Sequence, residues 1–525
     1  MPVDVTPVAA QPPGLETLSR LPDDGMHPTP PPPESDTVHE LLAHWAALTP
    51  RAIAIGDGSL RLTFRDLAAI AGTRTRAPRT QAAPQPVWVD ESLSPGAQLL
   101  DFLGILMAGD AAVMGDPGWS PLQRQKVQAL LATDTARTPP TSPTSPTSSD
   151  ARLLPAGSFY VGFTSGSTGL PKGFVRSHHS WVASFRACVQ AFGLAATSTI
   201  LAPGRLSHSL ALFGALLGLW TGGGVRLQSQ FSAGASLQTL MGGEAQALMA
   251  TPSQLLLMLE HAQRQGPRVV DATRLVMIGG ASWPRSRTAE LRALFPNARI
   301  VEFYGASETS FIAWIDSHPD LPATAVGRLF PGVDVHIDAP GAVAASPGGA
   351  GQSSGVIYVR SPMLFTGYVT PEPTTGPGAL LRDGEWLSVG DMGHVDTRGW
   401  LHLIGRRQRM FVVQGKNLFP EEVEQVLAAH PSVAAASVQA VPDAVRGARA
   451  IAVLELREAI DRATLVHWCR SRLDAYKAPR RFYACAHLPL NAAGKTDHAA
   501  IARVLATAPE GPADWQALPW QLEAA

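Results

Sequence analysis

Apolar and polar positions follow two periods along this chain. Residues 37–50, TVHELLAHWAALTP, space their apolar side chains as on one face of a helix and predict an amphipathic helix. Between 151 and 405, short apolar or β-branched runs alternate with helical patterns. RLVMIGGA (274–281) and RIVEFYGASE (299–308) read as buried strands running into turns, and AELRALF (289–295) between them reads as a helix. This strand–helix–strand rhythm predicts a large α/β domain whose parallel-rich sheets are packed with helices. From about 405 the texture changes. The basic cluster GRRQRM (405–410) leads to a helix over PEEVEQVLAAH (420–430), then two strand-like runs, AAASVQAV and ARAIAVLEL, a further helix, and a glycine-lysine turn. A second, small α+β domain is expected over 405–507. No internal repeat is evident.

The flanks read differently. Residues 1–35 contain PTPPPPES (28–35) and few large apolar side chains, and read as an extended or disordered tail; 508–525 form a short C-terminal tail. The segment TPPTSPTSPTSSD (138–150) reads as a surface loop, because Pro and Ser build no core. The large domain is thus placed at 36–404.

Composition narrows the function. Lys plus Arg number 42 and Asp plus Glu 43, a formal net charge of -1, which argues against nucleic-acid backbone binding. Three cysteines, Cys188, Cys469 and Cys485, are too scattered for a disulfide framework or a zinc site and suit a reducing compartment. The N-terminus lacks a secretory signal pattern, and the richest apolar run, LALFGALLGLW (210–220), is too short to span a membrane. A cytoplasmic protein without an integral membrane segment is expected.

One stretch stands out. FYVGFTSGSTGLPKG (159–173) places Ser, Thr and Gly between a strand-like run and Lys172. Such a turn offers backbone N–H groups, hydroxyl donors and one cation, the groups that bind phosphate; its bland alternative is a polar surface loop. It is not a Walker A loop, because Pro171 precedes Lys172 and Gly173 follows it; the second glycine-lysine, at Gly494-Lys495-Thr496, has Pro489 where the leading glycine should stand. Nor does either candidate serine, Ser167 or Ser307, sit in a G-x-S-x-G elbow.

The string FTSGSTGLPKG closely resembles the phosphate-binding loop of the adenylate-forming enzymes: acyl-CoA synthetases, peptide-synthetase adenylation domains and luciferases. Further motifs follow in that family's order: YGASE (304–308), WLSVGD (386–391), GRRQRMFVVQGKNLFPEEVE (405–424) and LPLNAAGKTD (488–497), with residues 37–68 resembling the family's opening. The resemblance spans roughly 37–505. It implies ATP-dependent activation of a carboxylate to an acyl-adenylate with release of pyrophosphate, and it implies roles residue by residue. Lys495 would bridge the acyl carboxylate and the α-phosphate. Glu308 would hold Mg²⁺. Thr164, Ser165, Gly166, Ser167, Thr168, Gly169 and Lys172 would wrap the β- and γ-phosphates. Tyr304 would stack on adenine beside Gly305, and Ser307 would touch phosphate. Asp391 would accept hydrogen bonds from the ribose, helped by Arg406. Gly279, Gly280 and Ala281 would line the adenine and acyl pocket, and His208 would lie near the acyl carboxylate. The pair His178-His179 lacks partners at ligand spacing and reads as structural.

The second step transfers the acyl group to a thiol. VVQGKNLFPEEVE is similar to the acyl-CoA synthetase form of the segment after the hinge, so CoA is the expected acceptor, with Gly415 beside the thiol's path. Gln408 aligns with the hinge, where the family has Asp or Lys, and Arg409 stands where an acid often follows. A ligase that loads the phosphopantetheine arm of a separate carrier protein is the alternative. A non-catalytic nucleotide-binding subunit is another; it predicts loss of Lys495, Glu308 or Asp391, and all three are present. FGALLGLWTGG (213–223) carries no acid to bind an α-amino group, which favours a fatty or aromatic acid over an amino acid. Trp220, Trp283, Phe311 and Trp314 are candidates for limiting the pocket's depth.

Overall fold

The computed structural model describes residues 32–74, 83–131, 154–164, 171–266, 268–343, 354–369, 379–413, 416–443, 447–490, 495–507, 512 and 515–518. Ser165–Gly169 and Gly415 therefore lie outside the described residues, as does the 138–150 segment.

The first sheet has 15 strands among the described residues. Its parallel part runs, in spatial order, through Arg299–Ala306, Leu275–Ile278, Ala247–Ala250, Ile200–Ala202, Val225–Leu227 and Ile53–Gly56. Leu275–Ile278 and Ala247–Ala250 are buried at every position. That continuous apolar pattern is what a parallel strand covered by helices on both faces requires. Helix Pro252–Arg264 starts with a reciprocal cap, in which the Thr251 hydroxyl accepts from the Gln254 amide and the Gln254 side chain accepts from the Thr251 amide.

Beyond Arg299–Ala306 the sheet turns antiparallel. Ser310–Asp316 pairs back on it, and Ala325–Leu329, Leu401–Arg406, Asp391–Val395 and Ser354–Arg360 continue in antiparallel order. The parallel-rich expectation covers only the first part of the sheet. The reason is connection length: only Ser307, Glu308 and Thr309 separate Ala306 from Ser310, whereas a parallel crossover needs about a dozen residues or more.

A second, 5-stranded sheet holds Pro86–Trp88, Ala111–Val113 and Ser158–Thr164 in parallel, then Lys172–Ser177 and Gly367–Tyr368 in antiparallel pairing. Thr164 is the register partner of Lys172, so Ser158–Thr164 and Lys172–Ser177 form an antiparallel pair.

The apolar clusters divide sharply. None combines residues before Arg406 with residues after Arg409. The later clusters pack helices Pro420–Ala428, Arg462–Arg470 and His498–Thr507 against a 4-stranded sheet of Val433–Asp443, Gly447–Leu456, Arg481–Cys485 and Gln516–Ala517. The strand at 481–485 and the helix at 498–507 were not legible in the sequence. At the other end, Ser35, assigned to the tail by composition, is buried; its hydroxyl donates to Thr37 O, and Arg186 donates to its carbonyl at 2.9 Å. The three cysteines are free thiols. No described helix is long and apolar enough to cross a membrane.

Candidate active site

Two strand ends and one turn build the site. The short connection between Arg299–Ala306 and Ser310–Asp316 folds tightly. The Thr309 hydroxyl accepts from Ala306 N at 3.1 Å, and Ser310 adopts φ 57°, a left-handed conformation rare for a non-glycine residue. A Cβ at Gly305 would sit 1.8 Å from Ser310 O, so only glycine fits this approach. The turn presents Ser307 and Glu308. Glu308 Oε1 accepts from the Tyr368 hydroxyl at 2.6 Å, and Glu308 O accepts from Phe365 N at 2.8 Å. Lys172 Nζ lies 5.6 Å from the Tyr368 ring centre, which brings the start of the strand Lys172–Ser177 to the same place.

Tyr304, Asp391 and Arg406 meet on the neighbouring strands. Asp391 pairs with Arg406 in the antiparallel register. The Tyr304 hydroxyl donates to Asp391 Oδ2 at 2.6 Å, and Arg406 Nε donates to Oδ1 at 3.1 Å. Burial, then the Asp391 charge, push the Tyr304 hydroxyl well above its ordinary range, so it stays protonated and donates.

Lys495 comes from the small domain to this edge. A Cβ built on Gly280, which has φ +86°, would lie 3.9 Å from Lys495 Cε. Lys495 remains accessible to solvent. Loss of hydration against the surrounding protein and then the nearby Arg406 charge lower its ammonium below the ordinary lysine range, with Glu308 opposing them.

His208 stands just before the apolar helix Ser209–Trp220, with Nε2 3.8 Å from Asp116 Oδ2. Asp116 Oδ1 accepts from Gly118 N at 2.8 Å and from Arg205 Nη1 at 3.4 Å. Burial works against the Asp116 charge, but His208, the Gly118 amide and Arg205 outweigh it and hold the carboxyl below its ordinary range. By contrast, His178 is half-buried and structural. Its ring stacks on Phe159, its Nδ1 accepts from Val38 N at 3.3 Å, and burial followed by His39 pushes it down to about 3.

The aromatic candidates all pack against neighbouring side chains or backbone. Trp220 O accepts from the Trp45 indole, and the Trp283 indole donates to the Thr288 hydroxyl. Trp314 lies beneath Arg299 and Arg328. Phe311 stacks on Phe330 with its edge toward Phe213 and Phe303. All four are buried.

At the junction of the two domains Gln408 is exposed, beside Gly390. Arg409 is held: Nη1 donates to Glu421 Oε1 at 3.1 Å and to Glu424 Oε2 at 3.0 Å, and Nη2 donates to Glu424 Oε1 at 2.6 Å and to Val438 O at 3.3 Å. His498 Nδ1 lies 3.3 Å from the same Nη2. Arg409→Ala should leave two half-buried carboxylates without their cation and lower the small domain's stability by about 3 kcal/mol, read as an earlier transition in chemical unfolding. Unchanged unfolding would show that these ion pairs contribute nothing net.

Sequence reading missed Arg176, Tyr368, Asp116, Glu421 and Glu424. The signal for Arg176 was present: one arginine inside the apolar strand run GFVRS.

Two family profiles match the chain. The AMP-binding enzyme profile matches residues 122–369, and that of the AMP-binding enzyme C-terminal domain matches 422–495. The uncharacterized acyl-CoA ligase YhfT of Bacillus subtilis is 32% identical over 490 residues, 87% of this chain and 96% of its own length. The chain belongs to the AMP-binding enzyme family. As an enzyme it falls with the AMP-forming acid–thiol ligases of the acyl-CoA synthetase type. Another member, the 2-succinylbenzoate–CoA ligase of Geobacillus kaustophilus, is 28% identical over 497 residues, 87% of this chain and 96% of its own. Among solved structures, the O-succinylbenzoate coenzyme A synthetase of Bacillus subtilis in complex with ATP and magnesium superposes with a TM-score of 0.69 at 22% identity, covering 87% of this chain and 98% of that one. That likeness shows that the adenylate-forming fold is shared.

Proposed function

We propose that this enzyme uses ATP to activate a fatty or aromatic carboxylic acid as an acyl-adenylate, releasing pyrophosphate, and then passes the acyl group to the thiol of CoA. The observation that carries the reading is the approach of Lys495, from the small domain, to Gly280 beside Glu308 and Arg406. A carboxylate oxygen must attack the α-phosphorus while the bond to the β-phosphate breaks. Both reactants are anionic, so fixed positive charge and preorganised donors lower the barrier. Lys495 would bridge the two anions. Asp391, oriented by Tyr304 and Arg406, would receive the ribose hydroxyls, and Thr164 and Lys172 would hold the phosphates at the end of their hairpin.

The residues present fit Mg²⁺ held in the manner usual for nucleotide enzymes. No group of three or more His, Cys, Asp or Glu side chains among the described residues could cage a metal, but Glu308 offers one carboxylate beside the phosphate site. Bound there with the phosphate oxygens, the ion would neutralise charge on the departing pyrophosphate. The helix Ser209–Trp220 presents no charged side chain and is buried from Ala211 to Trp220, which supports an apolar acid. The division near residue 405 and the hinge at Gln408 belong to the same reading.

Incubation with ATP, Mg²⁺ and a pool of fatty and aromatic acids, with and without CoA, tests it by mass spectrometry. Acyl-CoA products that require CoA are expected. Adenylates that persist despite CoA would move the acceptor to a carrier-protein thiol, and absence of any adenylate would overturn the assignment for these acids.

A further inference from the structure

Arg176 is 1% exposed and lies in the strand Lys172–Ser177, directly after the phosphate loop. Burying a guanidinium is costly unless it is paired and fully hydrogen-bonded. Among the described residues no carboxylate is in hydrogen-bond contact with it. Nη1 donates to Ser307 O at 3.1 Å, Nη2 donates to Met363 O at 2.7 Å, and Nε has no partner. Burial pushes the group down to about 9, with Glu308 and Tyr160 opposing. An apolar residue would fill this strand position at lower cost, so the charge needs a reason other than packing.

Its two acceptors supply one. Ser307 O belongs to the peptide that enters Glu308. Met363 lies in the segment whose Phe365 amide donates to Glu308 O at 2.8 Å and whose Tyr368 hydroxyl donates to Glu308 Oε1 at 2.6 Å. One side chain therefore ties together three separate pieces of chain: the strand leaving the phosphate loop, the turn bearing Glu308, and the segment that fixes the Glu308 backbone and carboxylate. We infer that Arg176 is a positioning residue that holds the Glu308 carboxylate in place to receive Mg²⁺ against the nucleotide phosphates. The inference rests on the reading of Glu308 as the Mg²⁺ carboxylate.

The sign of the effect separates positioning from plain electrostatics. A buried positive charge next to Glu308 repels a divalent cation, so if charge were all that mattered, removing Arg176 would tighten Mg²⁺ binding. If Arg176 positions the turn, removing it lets Glu308 move, and Mg²⁺ binding weakens. The measurement is ATP affinity by calorimetry, first with chelator and then across a Mg²⁺ titration. Arg176→Met should raise the Mg²⁺ concentration for half-maximal tightening about tenfold while leaving Mg²⁺-free ATP affinity within about threefold, the scale of a lost charge-assisted hydrogen bond. Arg176→Lys, which keeps the charge and spans only one carbonyl, should raise it about threefold, and it carries the test if the methionine variant does not fold. Unchanged or tighter Mg²⁺ dependence in these variants would overturn the inference, as would an equal loss of Mg²⁺-free affinity. Glu308→Gln serves as the control. If it shifts the Mg²⁺ dependence and the Arg176 variants do not, only the positioning role falls. If Glu308→Gln shifts nothing, the assignment of Glu308 falls and the inference with it.

Discussion

Replacing Lys495 by alanine should lower carboxylate-dependent pyrophosphate release about 10²–10³-fold, the usual cost of removing one preorganised charge donor from a transition state. ATP binding should change little, because the nucleotide contacts assigned to Asp391, Tyr304 and Lys172 come from other elements. Pyrophosphate release near the wild-type rate would remove Lys495 from the chemistry. The same residue predicts a pH dependence. Its ammonium is lowered from the ordinary 10.5 by lost hydration and by Arg406. On the proposed role of Lys495 the charged form is the active one, so kcat/KM for adenylation should be full at neutral pH and fall as pH rises through a value below 10.5. Arg406→Gln removes the second of those causes and should move the alkaline limb upward. A limb that stays put would separate it from Lys495.

Asp391→Ala should have the next largest effect. The carboxylate side chain is 5% exposed and serves two donors at once, the Tyr304 hydroxyl and the Arg406 guanidinium. Its removal strands a buried hydroxyl and a cation. Breaking a buried pair costs about 3–5 kcal/mol. Arg406 is 60% exposed and recovers water contacts, so a loss of about 2–3 kcal/mol in unfolding free energy is the better expectation. Nucleotide affinity should fall with it, because Tyr304 and Arg406 lose their shared anchor. Asp391→Asn keeps an acceptor for Tyr304 and gives up the charge, so it should fall between wild type and alanine in both measurements. An alanine variant with unchanged unfolding and unchanged AMP affinity would show that the triad is ornamental.

What the sequence disclosed and what it hid differ in kind. Contiguous strings were readable because their chemistry is local. YGASE must turn within three residues, and the geometry at Gly305 and Ser310 shows why no other spacing would do. The strands Leu275–Ile278 and Arg299–Ala306 were readable because burial on both faces forces unbroken apolar runs. The antiparallel continuation was hidden, because strand direction depends on connection lengths that composition does not display. Which of Trp220, Trp283, Phe311 and Trp314 face a pocket was unreadable, since a large apolar side chain near a motif carries no mark of which way it faces. What Arg176 and Arg409 hold was hidden for a stronger reason: some of their partners lie far away in sequence. Arg176 reaches Met363, 187 positions along the chain, and Arg409 reaches His498, 89 positions along it. Only the folded chain shows that these two arginines are enclosed by acceptors.

The Arg409 cluster also limits how the molecule can flex. Arg406 is fastened to Asp391 on the large domain, and Arg409 to Glu421, Glu424 and Val438 on the small one. Between these two anchors stand Arg407, whose amide donates to Gly390 O at 2.9 Å, and Gln408, so the swing proposed above would fall first on the torsions around Gln408. His498, which touches Arg409, stands three places after Lys495, so the lysine's segment is stitched to the same rigid block as the swivel. In the proposed swing, Lys495 would leave Gly280 as the end of a lever turning on a very short axle. On that proposal, Gln408→Pro would stiffen the axle and slow the exchange between positions.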